Sequence, residues 1–126
     1  MHPRAGQPAQ PEDLVNIDEV ISAYYDLVPD PAVPAQKVVF GTSGHRGASQ
    51  DTAFNEAHIV AITAAIVEYR RSQGTDGTLY LGRDTHGLSE PAWRTAIEVL
   101  SAAGVTTAVD ARGSYTPTPA VSHSIL

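Results

Sequence analysis

The sequence predicts an α/β protein: three layers, α/β/α, on a mainly parallel or mixed sheet, preceded by an N-terminal helical arm. Three observations carry this. Short apolar runs at Lys37–Phe40, Thr78–Gly82 and Val105–Val109 alternate with long stretches of helical periodicity. Crossovers of that length connect parallel strands. Each run ends in a polar, glycine-bearing turn: "GTSGHRG", "RDTHG" and "DARGSY". The proline-rich "PDPAVP" separates the alternating part from the helix before it.

Residues 1–13, rich in proline and glutamine, read as a disordered tail. Residues 14–36 read as the helical arm and a proline linker. Asn16 caps the arm helix, and Glu19 sits three residues later, as a capping box requires. Val20, Ile21, Tyr24, Leu27 and Val28 form its apolar face. Pro29, Pro31 and Pro34 stop it.

Residues 37–126 read as a β-α-β-α-β-α unit. Lys37–Phe40 is expected to be a short buried strand. Asn55 caps the next helix, with Glu56 at its positive end. Ile59, Ile62, Ile66 and Tyr69 recur on one face, Arg70 and Arg71 fall in the last turn, and Gly74 ends the helix. Thr78–Gly82 is the second strand. Ser89 is the expected cap of the following helix, with Glu90 and Pro91 in its first turn and Gly104 at its end. Val105–Val109 is the third strand. Thr118 is the expected cap of a last helix, with Pro119 at its first position. Three strands leave a sheet edge open, and a helix of about two turns is marginal by itself. The chain therefore reads as an incomplete domain of poor solubility.

The 126 residues fit one domain, and 42% hydrophobic content is enough for one core. A net charge of −6 argues against a nucleic-acid partner, which would need a basic stripe. There are no cysteines, which removes disulfides and thiol chemistry. The N-terminus has no apolar signal-peptide core, and no run approaches the roughly 20 apolar residues of a membrane span. The expectation is a cytoplasmic protein with no membrane partner.

Ligands in parallel sheets bind beyond the C-terminal strand ends. That places three segments, "GTSGHRG", "RDTHG" and "DARGSYTPT", on one rim. In "GTSGHRG", glycines permit close backbone approach, successive amides can form an anion nest, and Arg46 can grip phosphate bidentately. The same stretch could be only a tight structural turn. It is neither a P-loop nor a dinucleotide fingerprint. In "RDTHG", Asp84 or Thr85 is expected to bond turn amides. His58 is expected on the surface, and His123 in a packing or surface role. The serines show no base partner, so none reads as a nucleophile.

"FGTSGHRG", "FNEAHIVAITAAIVEYR", "LGRDTHGLSEPA" and "YTPTPAVSHSIL", in this order and spacing, closely resemble the start of the bacterial phosphoglucomutases of the α-D-phosphohexomutase superfamily. The resemblance covers roughly residues 15–126, most of the first domain of a four-domain enzyme. It implies interconversion of glucose 1-phosphate and glucose 6-phosphate through a phosphoserine and a glucose 1,6-bisphosphate intermediate, supported by Mg²⁺. It implies that Arg46 lines the cleft near the phosphoserine, with Ser43, Gly44 and His45 shaping the loop as substrate- or phosphate-binding residues. It places the phosphoserine loop, Thr-x-Ser-His-Asn-Pro, beyond Leu126. Ser122 and Ser124 lie in the helix before it. No catalytic residue and no metal ligand is therefore expected in this chain, and the chain alone is expected to be inactive. Relatives with such an arm imply a homodimer. The alternative expectation is a non-catalytic module that binds phosphosugar weakly or pairs with another subunit.

Overall fold

The computed structural model describes residues 3–41 and 43–126. The first two residues of the expected tail and Thr42 of "GTSGHRG" lie outside the described residues.

Four helices and two short parallel strands make up the described chain, with 3₁₀ turns at Pro11–Asp13 and Pro34–Gln36. Arg4 ion-pairs with Glu12 at 3.1 Å and with Asp13, and so ties the start of the chain to the first 3₁₀ turn. α1 spans Ile17–Asp26. Its Asn16 cap works as the spacing predicts: Oδ1 accepts from the amides of Asp18 at 3.1 Å and Glu19 at 3.4 Å. α2 spans Glu56–Ser72. Gly74 closes it at φ 64°, a conformation that favours glycine.

α3 spans Ser89–Ala102 and packs along α2. Its cap residue is Leu88 and not the expected Ser89, because Ser89 Oγ instead accepts the Asp84 amide at 3.1 Å. α4 spans Thr118–Ile125, again one residue earlier than expected. Pro117 is its cap residue, and the Pro117 carbonyl receives the Ala120 amide at 2.9 Å. Tyr24, Val67, Leu88, Ala96 and Leu100 form the apolar core, with Thr63 and Thr95 buried among them.

The sheet pairs β1 (Leu79–Tyr80) with β2 (Thr107–Ala108) in parallel, Leu79 opposite Thr107 and Tyr80 opposite Ala108. Both lie inside the predicted runs. The third expected strand, Lys37–Phe40, is corrected. It is neither buried nor part of this sheet: Val39 is 61% and Phe40 62% exposed. Its Val38 and Phe40 line an apolar cavity together with Ala61, Ala65 and Tyr69 of α2. The Lys37 amide donates to the Pro34 carbonyl at 3.3 Å. Phe40 bridges antiparallel to His45, and the Val39 amide donates to His45 Nδ1 at 3.2 Å.

The arm helix docks on the domain through polar contacts. The Tyr24 hydroxyl donates to Thr95 Oγ1 of α3 at 2.9 Å. Ser49 Oγ donates to the Val20 carbonyl at 2.7 Å, and Asn55 Nδ2 to the Ala23 carbonyl at 2.7 Å. Tyr24 is 0% exposed. Burial pushes its phenol up to about 12; the bond to Thr95 opposes the shift and the Glu56 charge adds to it. Tyrosine is charged when deprotonated, so the fold holds the phenolic proton that the unfolded chain releases near pH 10. Stability should then fall between pH 10 and about 12, by up to about 1.4 kcal/mol per pH unit. Urea unfolding across that range would show it, and Tyr24→Phe should flatten the slope. An equal slope in the variant would assign the alkaline loss to other groups.

Candidate functional site

Two of the three predicted turns meet. His45, Arg46 and Gly47 line a cleft of about 560 Å³ together with Asp84, His86 and Ser89, and Phe54 adds an aromatic ring to its lining. Ser43 and Gly44 lie outside its lining. Gly44 has φ 155° and accepts the Gly41 amide at 3.1 Å, so it turns the loop without facing the cleft.

His45 holds the loop in place. Its ring stacks on Phe54 at 5.7 Å, and its Nδ1 sits by the Val39 amide and carbonyl. Behind it, 5.1 Å between ring centroids, lies His58. The expected surface role of His58 is corrected, because this ring is buried. Its Nδ1 accepts the Asn55 amide at 3.0 Å, and its Nε2 pairs with the Gln36 carbonyl at 2.7 Å. A neutral ring with its proton on Nε2 satisfies both.

Arg46 is exposed, and among the described residues it makes no hydrogen bond or ion pair. Gly47 explains how its loop can fold so tightly. A Cβ there would lie 2.6 Å from the carbonyl carbon of Ala53, and closer still to its oxygen. Those are backbone atoms and cannot swing away. Gly47→Ala should therefore displace the Arg46 loop and destabilise the chain by roughly 2–3 kcal/mol. Thermal unfolding followed by circular dichroism checks this; an unchanged midpoint would show that the loop adapts freely.

Opposite Arg46, Asp84 bonds its own turn as predicted. Its Oδ1 accepts the His86 amide at 2.9 Å. That amide first, and the Ser89 hydroxyl second, hold its carboxyl below the ordinary range. Its charge is directed into the turn.

The third turn reaches a neighbouring cleft and not this one. Thr116 and Thr118 line it with Gly82, Arg83, Asp84 and Ser89. Arg83 joins the two turns. Its guanidinium lies 5.4 Å from the centroids of both Trp93 and Tyr115. It pairs with Glu90 at 2.8 Å and donates to the Gly113 carbonyl at 2.7 Å. The Arg83 carbonyl accepts the Thr116 amide at 2.8 Å. With both terminal nitrogens hydrogen-bonded, two aromatic rings beside it and the side chain 15% exposed, Arg83 is a clamp between loops, a role that no local sequence signal announces.

Among the described residues no three metal-ligating side chains converge. The carboxylate in the cleft is Asp84, already bonded within its turn, so these residues do not fit a Mg²⁺ site. Among the described residues no helix is long and apolar enough to cross a membrane.

A family model described as phosphoglucomutase/phosphomannomutase, alpha/beta/alpha domain I, matches residues 37–126. The chain belongs to this family. A phosphoglucomutase of Komagataeibacter xylinus is 54% identical over 124 residues, 98% of this chain. The chain spans 22% of the length of that curated relative. The α/β/α class of this phosphohexomutase domain is the class that the alternation of elements predicts.

Proposed function

We propose that this chain supplies one wall of the phosphosugar site of a phosphoglucomutase. The enzyme would interconvert glucose 1-phosphate and glucose 6-phosphate through a phosphoserine and a bound glucose 1,6-bisphosphate. The observation that carries this is Arg46: an exposed guanidinium on a glycine loop, without a hydrogen-bond or ion-pair partner among the described residues, lining a cleft with a second polar loop. Phosphoryl transfer needs little covalent help from a protein. It needs positioning, and compensation of charge spread over the phosphoryl oxygens. Arg46 can supply both, as a planar two-donor fork. Nothing in these residues acts as nucleophile, and the reading places the phosphoserine and the Mg²⁺ ligands outside them. Residues 1–126 alone are then inactive.

A graft tests this. Residues 1–126 would replace the aligned segment of the Komagataeibacter xylinus phosphoglucomutase. Conversion of glucose 1-phosphate to glucose 6-phosphate would be measured for the chimera and for residues 1–126 alone. Turnover by the chimera within about tenfold of the parent, and none by residues 1–126, is expected. A folded but inactive chimera would sink the reading.

Pairing through the arm is a second reading, favoured by one observation. Leu14, Val15 and Val28 flank α1 and are 67–78% exposed. Tyr24 is committed inside the fold, so a dimer would use these residues and Tyr25. A monomer by light scattering would remove it.

A further inference from the structure

We propose that His86 is a second phosphate ligand of this cleft, presenting its Nε2–H to a phosphomonoester held by Arg46. The proposal rests on the reading of the cleft as a phosphosugar wall. It deepens that reading by naming a donor that "RDTHG" does not advertise.

Three polar groups of His86 are already engaged. Its amide donates to Asp84 Oδ1 at 2.9 Å, and its carbonyl accepts the Ser89 amide at 2.9 Å. Its ring Nδ1 accepts the Leu88 amide at 3.1 Å. A neutral imidazole with Nδ1 as acceptor carries its proton on Nε2. Three bonds thus fix the main chain, the ring and the tautomer, and Nε2–H is the one polar group left over. The residue is exposed, and it lines the cleft opposite Arg46. A donor held in place before the ligand arrives needs no reorganisation when negative charge enters. Asp84, the nearby carboxylate, faces the turn amide and Ser89, which limits its repulsion of an anion. Arg46 is the cation lining the same cleft.

The bland alternative is that His86 only closes the turn by accepting the Leu88 amide. Two substitutions separate the roles. In His86→Asn, the side-chain oxygen can replace Nδ1 as acceptor, but no donor reaches the Nε2 position. In His86→Gln, a side-chain N–H reaches approximately that position.

The experiment uses residues 1–126 labelled with ¹⁵N and titrated with inorganic phosphate. Long-range proton–nitrogen spectra report the ring tautomer and the Nε2 shift. The expected result is an Nε2–H tautomer whose Nε2 signal moves saturably with phosphate. His86→Asn should weaken binding on the order of tenfold or more, the scale of one hydrogen bond to a charged group. Its thermal midpoint should stay that of the parent, and His86→Gln should recover most of the affinity. An Nδ1–H tautomer overturns the proposal. So does a His86→Asn variant that binds as the parent does while Arg46→Ala loses binding; the cleft reading then survives alone. Absence of any saturable shift in the parent overturns the proposal, while the cleft reading is decided by the turnover of the chimera.

Discussion

Arg46→Ala in the grafted mutase should lower kcat/KM by about 10²–10³, the loss seen when one preorganised charge-stabilising donor is removed. The thermal midpoint should stay within about 1 °C. Both expectations have the same origin. Among the described residues Arg46 makes no hydrogen bond or ion pair, so its removal costs the folded chain little. The loop beneath it is held by other groups: His45 against Phe54, and Gly47 in close approach to Ala53. Arg46→Lys should recover only part of the rate, because an ammonium keeps the charge and loses the two-point fork. Steady-state kinetics on the three proteins, with a melting curve for each, decide the matter. An unchanged kcat/KM would take Arg46 out of the site. A large drop in midpoint would make it a structural residue.

The parts of this fold that were legible in the sequence are those decided within a few residues. Asn16 and Glu19 announce α1, Gly74 and Gly104 end α2 and α3, and both predicted runs that pair do so in parallel. Local physics sets each of these. The caps of α3 and α4 were each misplaced by one residue, and the larger misreadings involve partners outside the element concerned. Lys37–Phe40 has the composition of a strand, but strand formation needs a neighbour, and this segment shares an apolar cavity with α2 while its Val39 amide is taken by His45 Nδ1. His58 looked like a surface residue near a helix start. The Gln36 carbonyl, 22 residues away, makes it a buried one. Arg83 carries no local signal at all, because its role is defined by Trp93, Glu90, Gly113 and Tyr115 around it. The cleft was half legible. The rule about strand ends places three turns on one rim, and the backbone brings two of them into one cleft. His86 escaped notice because its signal is a tautomer, which depends on the Leu88 amide and not on residue type.

Asn55→Ala should cost about 2–4 kcal/mol, the largest stability loss expected of any single side-chain truncation outside the apolar core. The sequence marks Asn55 as a helix cap, and it does occupy that position. Its side chain has another task. It is 0% exposed, and Nδ2 donates to the Ala23 carbonyl at 2.7 Å and to the Ser49 carbonyl at 3.1 Å. One amide group therefore joins the C-terminal part of α1, the loop that follows Gly47, and the start of α2. Removing it leaves a void and takes a donor from two carbonyls that water cannot easily reach. Asn55→Asp separates these causes. It keeps the volume but turns an oxygen toward both carbonyls, so filling the space no longer helps. If the donor matters most, Asp should be at least as damaging as Ala in urea unfolding; if packing matters most, Asp should be the milder change. The first outcome carries a functional consequence. The loop from Gly47 to Asn55 is anchored at one end by this amide and at the other by the close approach of Gly47 to Ala53. Loosening Asn55 should then raise amide exchange at Ser49–Phe54 and at Arg46 together. That would tie the orientation of the cleft arginine to a buried side chain that never touches the cleft.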